Sequence, residues 1–176
     1  IKVLFIFFLI LIFFFFFINY FQKQKLFSEA NDLARAGYQS KAIELCSKIA
    51  PKLKTDYSFT LFYAQLLYNT GRLEQMIEWV KEIHLLHCNQ RIHSLVAKTN
   101  EELSNMKEAE KNYLLSMYIK PSLLQSRIDL MIFYNSINDI SKAKFWALQT
   151  INCPVKIQSP QATQLKKTAN EYLMRH

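Results

Sequence analysis

Glycine is almost missing from this chain. Only Gly37 and Gly71 occur in 176 residues, and two isolated glycines cannot build a phosphate-cradling loop. Cysteine is nearly as scarce. Cys46, Cys88 and Cys153 lie far apart, with no Cys-x-x-Cys unit among them, which excludes a disulfide framework or a zinc-ribbon spacing. Charge of one sign is not concentrated either. Three of the 22 basic residues, Lys2, Lys23 and Lys25, precede Leu26, leaving 19 against all 14 acidic ones. The close pairs Lys52/Lys54, Lys142/Lys144 and Lys166/Lys167 stand mostly beside acids and read as solvated helix faces. Such a mildly basic surface is no nucleic-acid stripe, so no nucleic-acid partner is expected.

What is present is uneven. Nine of the fourteen phenylalanines fall before residue 22, all but Phe21 within an unbroken apolar run from Val3 to Ile18. Continued through Phe21, the run makes about 28 Å of helix, close to the thickness of a hydrocarbon core. No small-residue cleavage site follows it. Tyr20 and Phe21 suit the headgroup level, with Lys23 and Lys25 reaching the phosphates. Residues 1–22 are therefore expected to form a transmembrane helix in contact with the lipid bilayer. The excess of lysine on its C-terminal flank leads us to expect the helical domain on the cytoplasmic side, and three distant cysteines that cannot all pair agree. The chain opens on Ile1 and is already membrane-like, so it is expected to be cut from something longer.

The two glycines stand 34 residues apart, and Ser104 and Asn138 occupy the same slot in two further units. Five residues beyond each slot come Ala42, Met76, Ala109 and Ala143. A fixed period of this length marks an array of helix-turn-helix repeats. The units are residues 23–56, 57–89, 90–123 and 124–153. In the first, Ala30, Leu33 and Ala34 mark one helical face, and Gly37 ends the helix in a left-handed turn. Ser40 is positioned to cap the second helix, which buries Ala42, Ile43, Leu45, Cys46 and Ile49 and stops at Pro51. The second unit places Phe59, Phe62, Tyr63, Leu66 and Leu67 before Gly71, then Leu73, Met76, Ile77, Val80 and Ile83. Ala109, Tyr113 and Pro121 mark the third, and Leu130, Tyr134, Ala143 and Ala147 the fourth. Met76 is large for a slot where small side chains let two helices approach, so looser packing is expected there. Residues 154–176 leave the period. Ser159-Pro160 reads as a cap with proline at the first helical position, opening a helix whose stripe of Leu165, Ala169, Tyr172 and Leu173 shields the last unit.

At these positions the chain resembles the tetratricopeptide repeat (TPR) family. Ala30, Ala64 and Ala97 fill its small-residue slot in the first helix, with Met131 departing. Gly37 and Gly71 fill the turn; Ala42, Ala109 and Ala143 the early alanine of the second helix; Pro121 the terminal proline. The family's tryptophan slot is not kept, holding Leu26, Thr60, His93 and Arg127. The resemblance covers residues 26–151 and implies an all-α solenoid of four repeats whose concave face is lined by the first helices. On that register the groove residues are Asn31, Arg35, Gln65, Tyr68, Asn69, Lys98, Glu101 and Asn135, a set of amides and few charges suited to a peptide's main chain. Phe27 and Leu61 stand where the family's two-carboxylate clamp needs cations.

Candidate chemistry is sparse. His84, His87, Cys88 and His93 could approach zinc spacing, but they fall at a junction between units and lack a second pair, so no metal is expected. Glu101-Glu102 and Glu108/Glu110 read as local helical partners of Lys98, Lys107 and Lys111. No catalytic residue and no cofactor is assigned. The expected function is a membrane-anchored interaction module for a protein or peptide partner. An alternative follows from the order of phenylalanine-rich span, four repeats and the VKIQSPQATQLKKTANEYL tail. It looks like the C-terminal region of O-antigen ligase and polymerase-like membrane proteins of Bacteroidetes, whose catalytic part would lie upstream.

Overall fold

In the computed structural model the described backbone covers residues 2–83, 89–155, 157 and 159–176, and the described side chains exclude those at 2–12, 15, 16 and 19. Among the described residues the architecture is all-α, with nine helices: α1 (Lys2–Arg35), α2 (Gln39–Leu53), α3 (Tyr57–Asn69), α4 (Leu73–Ile83), α5 (Gln90–Glu102), α6 (Met106–Ile119), α7 (Leu124–Ser136), α8 (Ile140–Asn152) and α9 (Pro160–Arg175). They follow one another as TPR-like helix-turn-helix pairs. The chain divides into two compact units, residues 1–79 and 80–176.

The four turns inside the pairs are built alike. Gly37 and Gly71 have φ of 85° and 71°, and Ser104 and Asn138, the residues in the same slot, have φ of 60° and 59°. All four are left-handed, a conformation that costs an L-residue roughly 1–2 kcal/mol and glycine nothing. At each turn the slot's own N–H donates three residues back, to Ala34, Tyr68, Glu101 and Asn135 in turn. The next N–H donates five residues back, from Tyr38 to Leu33, Arg72 to Leu67, Asn105 to Asn100 and Asp139 to Tyr134. This two-bond pattern satisfies carbonyls that a helix end leaves open. The carbonyls of Tyr38, Arg72, Asn105 and Asp139 then accept from the N–H groups of Ala42, Met76, Ala109 and Ala143. One residue thus closes the first helix and opens the second, and the side chain four residues on is fully buried in all four cases. Met76 is as completely covered as the alanines.

Two local expectations need correction. Ser40 does not cap α2. The helix starts one residue earlier, at Gln39, and its cap position is Tyr38, which makes no side-chain capping bond. Pro51 does not stop α2 but lies inside it, two residues before its end at Leu53. A proline this close to the C-terminus removes one donor and leaves little helix beyond to disrupt, and Leu53 is buried by the extra turn. The cap expected for α9 is formed, and two aspartates cap α3 and α8. Ser159 accepts from the N–H of Ala162 at 3.1 Å, with Pro160 opening α9. Asp56 accepts from Phe59 at 3.0 Å and Asp139 from Lys142 at 3.0 Å.

The apolar run Val3–Ile18 lies mostly outside the described side chains. Among the described residues no helix is long and apolar enough to cross a membrane. The backbone of α1 is nonetheless one helix from Lys2 to Arg35, so no helix end separates residues 2–22 from the first repeat.

In the first unit the core is aromatic. Phe59 meets Phe27 edge-on at 5.5 Å between ring centroids and Trp79 at 6.1 Å, and Tyr63 meets Trp79 at 5.2 Å. The indole N–H of Trp79 donates to the Thr60 carbonyl at 3.3 Å, so a buried donor is satisfied. In the second unit Ala97, Ala109, Tyr113, Leu130, Phe133, Tyr134 and Ala143 form one cluster, and Ile128, Met131, Ala147 and Ala169 a second. Leu165, Tyr172 and Leu173 of α9 lie against the latter, covering α7 and α8.

Candidate functional site

Asn31 and Arg35 lie one turn apart on α1, and Gln65 and Asn69 one turn apart on α3. Each pair is offset from the other by one repeat, so the two helices present matching positions. The structure brings these four together around a hollow of about 270 Å³, completed by Ala34, Gln39, Phe62 and Leu66. Its polar lining is one guanidinium and four carboxamide side chains, with no carboxylate. Among the described residues Arg35 enters no salt bridge. It also stands in the last turn of α1, where a cation complements the helix dipole. Chemically such a lining can meet an anionic group flanked by hydrogen-bonding partners, since carboxamides both donate and accept. Tyr68 is half-buried on α3 and does not line the hollow.

The groove residues of the second unit are differently placed. Glu101 accepts from the Tyr113 hydroxyl at 2.7 Å and from the Ser136 hydroxyl at 2.9 Å, so its carboxylate ties α5 to α6 and α7. Asn135 accepts from the Tyr172 hydroxyl at 3.0 Å, tying α7 to α9. Lys98 is exposed. Two of these three side chains therefore hold the repeat together.

The acid pairs also divide. Glu108 pairs with Lys111 at 3.3 Å on its own helix, as the spacing suggests. Glu110 instead reaches across helices, accepting from the Tyr134 hydroxyl at 2.5 Å and pairing with Lys142 at 3.2 Å. The Tyr134 hydrogen bond, followed by Lys142, holds the Glu110 carboxyl below the usual carboxylate range. Burial, with Glu110 beside it, pushes the Tyr134 phenol up. The Lys142 ammonium sits 4.7 Å above the Tyr134 ring.

Of the histidine-cysteine cluster, His84, His87 and Cys88 lie outside the described residues. His93 is buried, and its Nδ1 is 3.0 Å from Asn112 Oδ1. Asn112 Nδ2 donates to the Glu108 carbonyl at 2.8 Å, which fixes its oxygen toward His93 and puts a proton on Nδ1. Among the described residues no group of three His, Cys, Asp or Glu side chains could hold a metal ion.

Gln39 and Phe62 complete the hollow without having been assigned to it from sequence. Gln39 follows the turn rather than lying on a first helix, so a register counted along those helices passes over it. Phe62 carries the apolar periodicity of α3 and reads as core.

The fold and its hollow define an all-α repeat protein assembled from TPR-like helix pairs. The sequence matches no family model and no curated protein. Several solved structures share the fold. A crystal structure of MamA aligns with a TM-score of 0.68 at 14% identity, over 87% of this chain and 88% of that one. MamA of Desulfovibrio magneticus RS-1 aligns at 0.66 and 10% identity, over 83% and 76%. A chain of the Naa15/Naa10 structure bound to HypK-THB aligns at 0.56 and 16% identity, over 87% of this chain but 23% of that one. At such identities the likeness is one of fold. The resemblance to O-antigen ligase and polymerase-like proteins finds no support in these matches.

Proposed function

We propose that this chain is a membrane-anchored, TPR-like interaction module that holds an extended peptide segment of a protein partner in the hollow between α1 and α3. The observation that carries this reading is the convergence of Asn31, Arg35, Gln65 and Asn69, with Gln39, on one small concavity. Four carboxamides can pair with the N–H and C=O groups of an extended main chain, and Arg35 can meet a carboxylate of the same segment. The anchor is residues 1–22, supported by the length and apolarity of Val3–Ile18. The helical domain lies on the cytoplasmic side, supported by Lys23 and Lys25 on that flank. The second unit contributes stability, its exposed groove residues being Lys98 and Asn135, the latter bonded to Tyr172.

Site-specific photo-crosslinking in intact membranes tests this. A crosslinker at Asn69 is expected to trap a discrete protein species that disappears when Arg35 is replaced by alanine. A crosslinker at Lys167, on the exposed side of α9, is expected to trap none of it. Equal yields from both positions, indifferent to Arg35, would refute the proposal.

A further inference from the structure

The helix that carries half of the hollow is the same helix that carries the apolar run. From Phe21 to Arg35 it has no break, and neither glycine nor proline occurs in that stretch. Sharp kinks in helices arise almost always at proline, glycine-serine pairs or bulges, so the segment has no hinge of its own.

The array also grips this helix close to the anchor. Phe27, six residues past Phe21, meets both Phe59 and Phe62 of α3 at 5.5 Å between ring centroids. Gln24, three residues nearer, donates to the Asp56 carboxylate at 3.4 Å. Ala30 is fully buried. By contrast Phe13, Phe14, Phe17, Ile18, Tyr20 and Phe21 are all exposed large apolar side chains. The change from unpartnered to gripped falls within one turn, between Phe21 and Gln24.

We infer that α1 is an unhinged stalk that fixes the hollow at a set height above the bilayer. This rests on the membrane reading given under Proposed function. At 1.5 Å per residue, Asn31 and Arg35 stand about 15 and 21 Å along the helix from Phe21, and any tilt lowers them. The occupant is then a peptide segment that leaves the same membrane face just after its own spanning helix. Seven extended residues reach about 23 Å, enough to enter the hollow. Holding both partners in one bilayer raises their effective concentration, which suits a shallow site with a single guanidinium.

The test uses the full chain in phosphatidylcholine vesicles. An azidophenylalanine at position 69, coupled to a donor fluorophore, reports its distance from acceptor-labelled headgroups by energy transfer. The stalk requires a height within about 20 Å of the surface, rising by about 6 Å when Ala-Glu-Ala-Lys is inserted between Gln22 and Lys23. A height unchanged by that insertion would overturn the stalk while leaving the anchor intact. A chain that does not enter the vesicles would overturn the anchor itself. For the occupant, an acidic peptide ending in a free carboxylate is attached to a designed spanning helix through spacers of two or eight residues. Crosslinking at position 69 is expected with eight and not with two. Equal yields, or none with either, would overturn the assignment of a juxtamembrane occupant.

Discussion

Gly71→Ala isolates the backbone cost of one repeat turn. A Cβ at Gly71 meets nothing within 4 Å, so neither packing nor a clash enters the balance. What remains is φ of 71°, which costs an L-residue about 1–2 kcal/mol. Alanine recovers about 0.4–1 kcal/mol by restricting the unfolded chain, so the net loss is about 1 kcal/mol. Ser104→Gly runs the same exchange backwards, because Ser104 holds φ of 60° in the equivalent slot. It should stabilise by a similar amount. Urea unfolding of the full chain in detergent, followed by circular dichroism, reads both shifts. Amide exchange localises the first. The Arg72 N–H, bonded to the Leu67 carbonyl at 2.9 Å, should exchange about fivefold faster in Gly71→Ala if the turn opens alone, 1.4 kcal/mol being a factor of ten. If both substitutions leave the midpoint unmoved, the equivalence of the four turns as strained slots is wrong.

Ala109 is fully buried at the contact of α5 with α6, so Ala109→Phe should overpack it and cost about 1–3 kcal/mol, read as a fall in Tm; an unchanged Tm would refute the register. Glu110 is held below its ordinary range in the folded state, so its contribution is full above the unfolded carboxyl value of about 4.3. That contribution is lost as pH falls through the lower folded value, and Tyr134→Phe should flatten the acid side of the stability profile between about pH 5 and 3. Burial pushes the Cys46 thiol up to about 12, so iodoacetamide at pH 8 should alkylate it at the rate of unfolding and no faster. Asn112→Leu removes the acceptor facing His93 and should cost about 1–3 kcal/mol by orphaning a buried donor, with His93→Leu in the same chain recovering part of it.

The repeat could be read from sequence because each turn needs a left-handed residue and each second helix a covered side chain at a fixed offset. Gly37, Gly71, Ala109 and Ala143 announce these needs directly. Ser104 and Asn138 do not, and only the period assigns them to the slot. Hydrogen bonding within one helix was also legible, as at Glu108 and Lys111. Bonding between helices was not. Glu101 and Glu110 look like local partners of neighbouring lysines, yet reach Ser136, Tyr134 and Lys142 on other helices, because sequence spacing carries no information on rotamer or on what the next repeat presents. The hollow was legible in four of its lining residues for the same reason as the turns, since Asn31 and Gln65, and Arg35 and Asn69, repeat with the period. Gln39 escaped because it belongs to a connection. The continuity of α1 escaped because polar residues after Phe21 resemble a boundary, whereas Lys23, Gln24 and Lys25 are good helix formers and propagate the helix.

The most direct test of the central claim is a binding measurement at the hollow. Peptides with free C-termini, selected from a random library on the full chain in nanodiscs, would be titrated calorimetrically against the parent and against Arg35→Ala, Gln65→Ala and Lys167→Ala. The account predicts peptides that converge on an acidic segment, weakened at least tenfold by the first two substitutions and unchanged by the third. Peptides that show no convergence, or that bind all four chains alike, would contradict it.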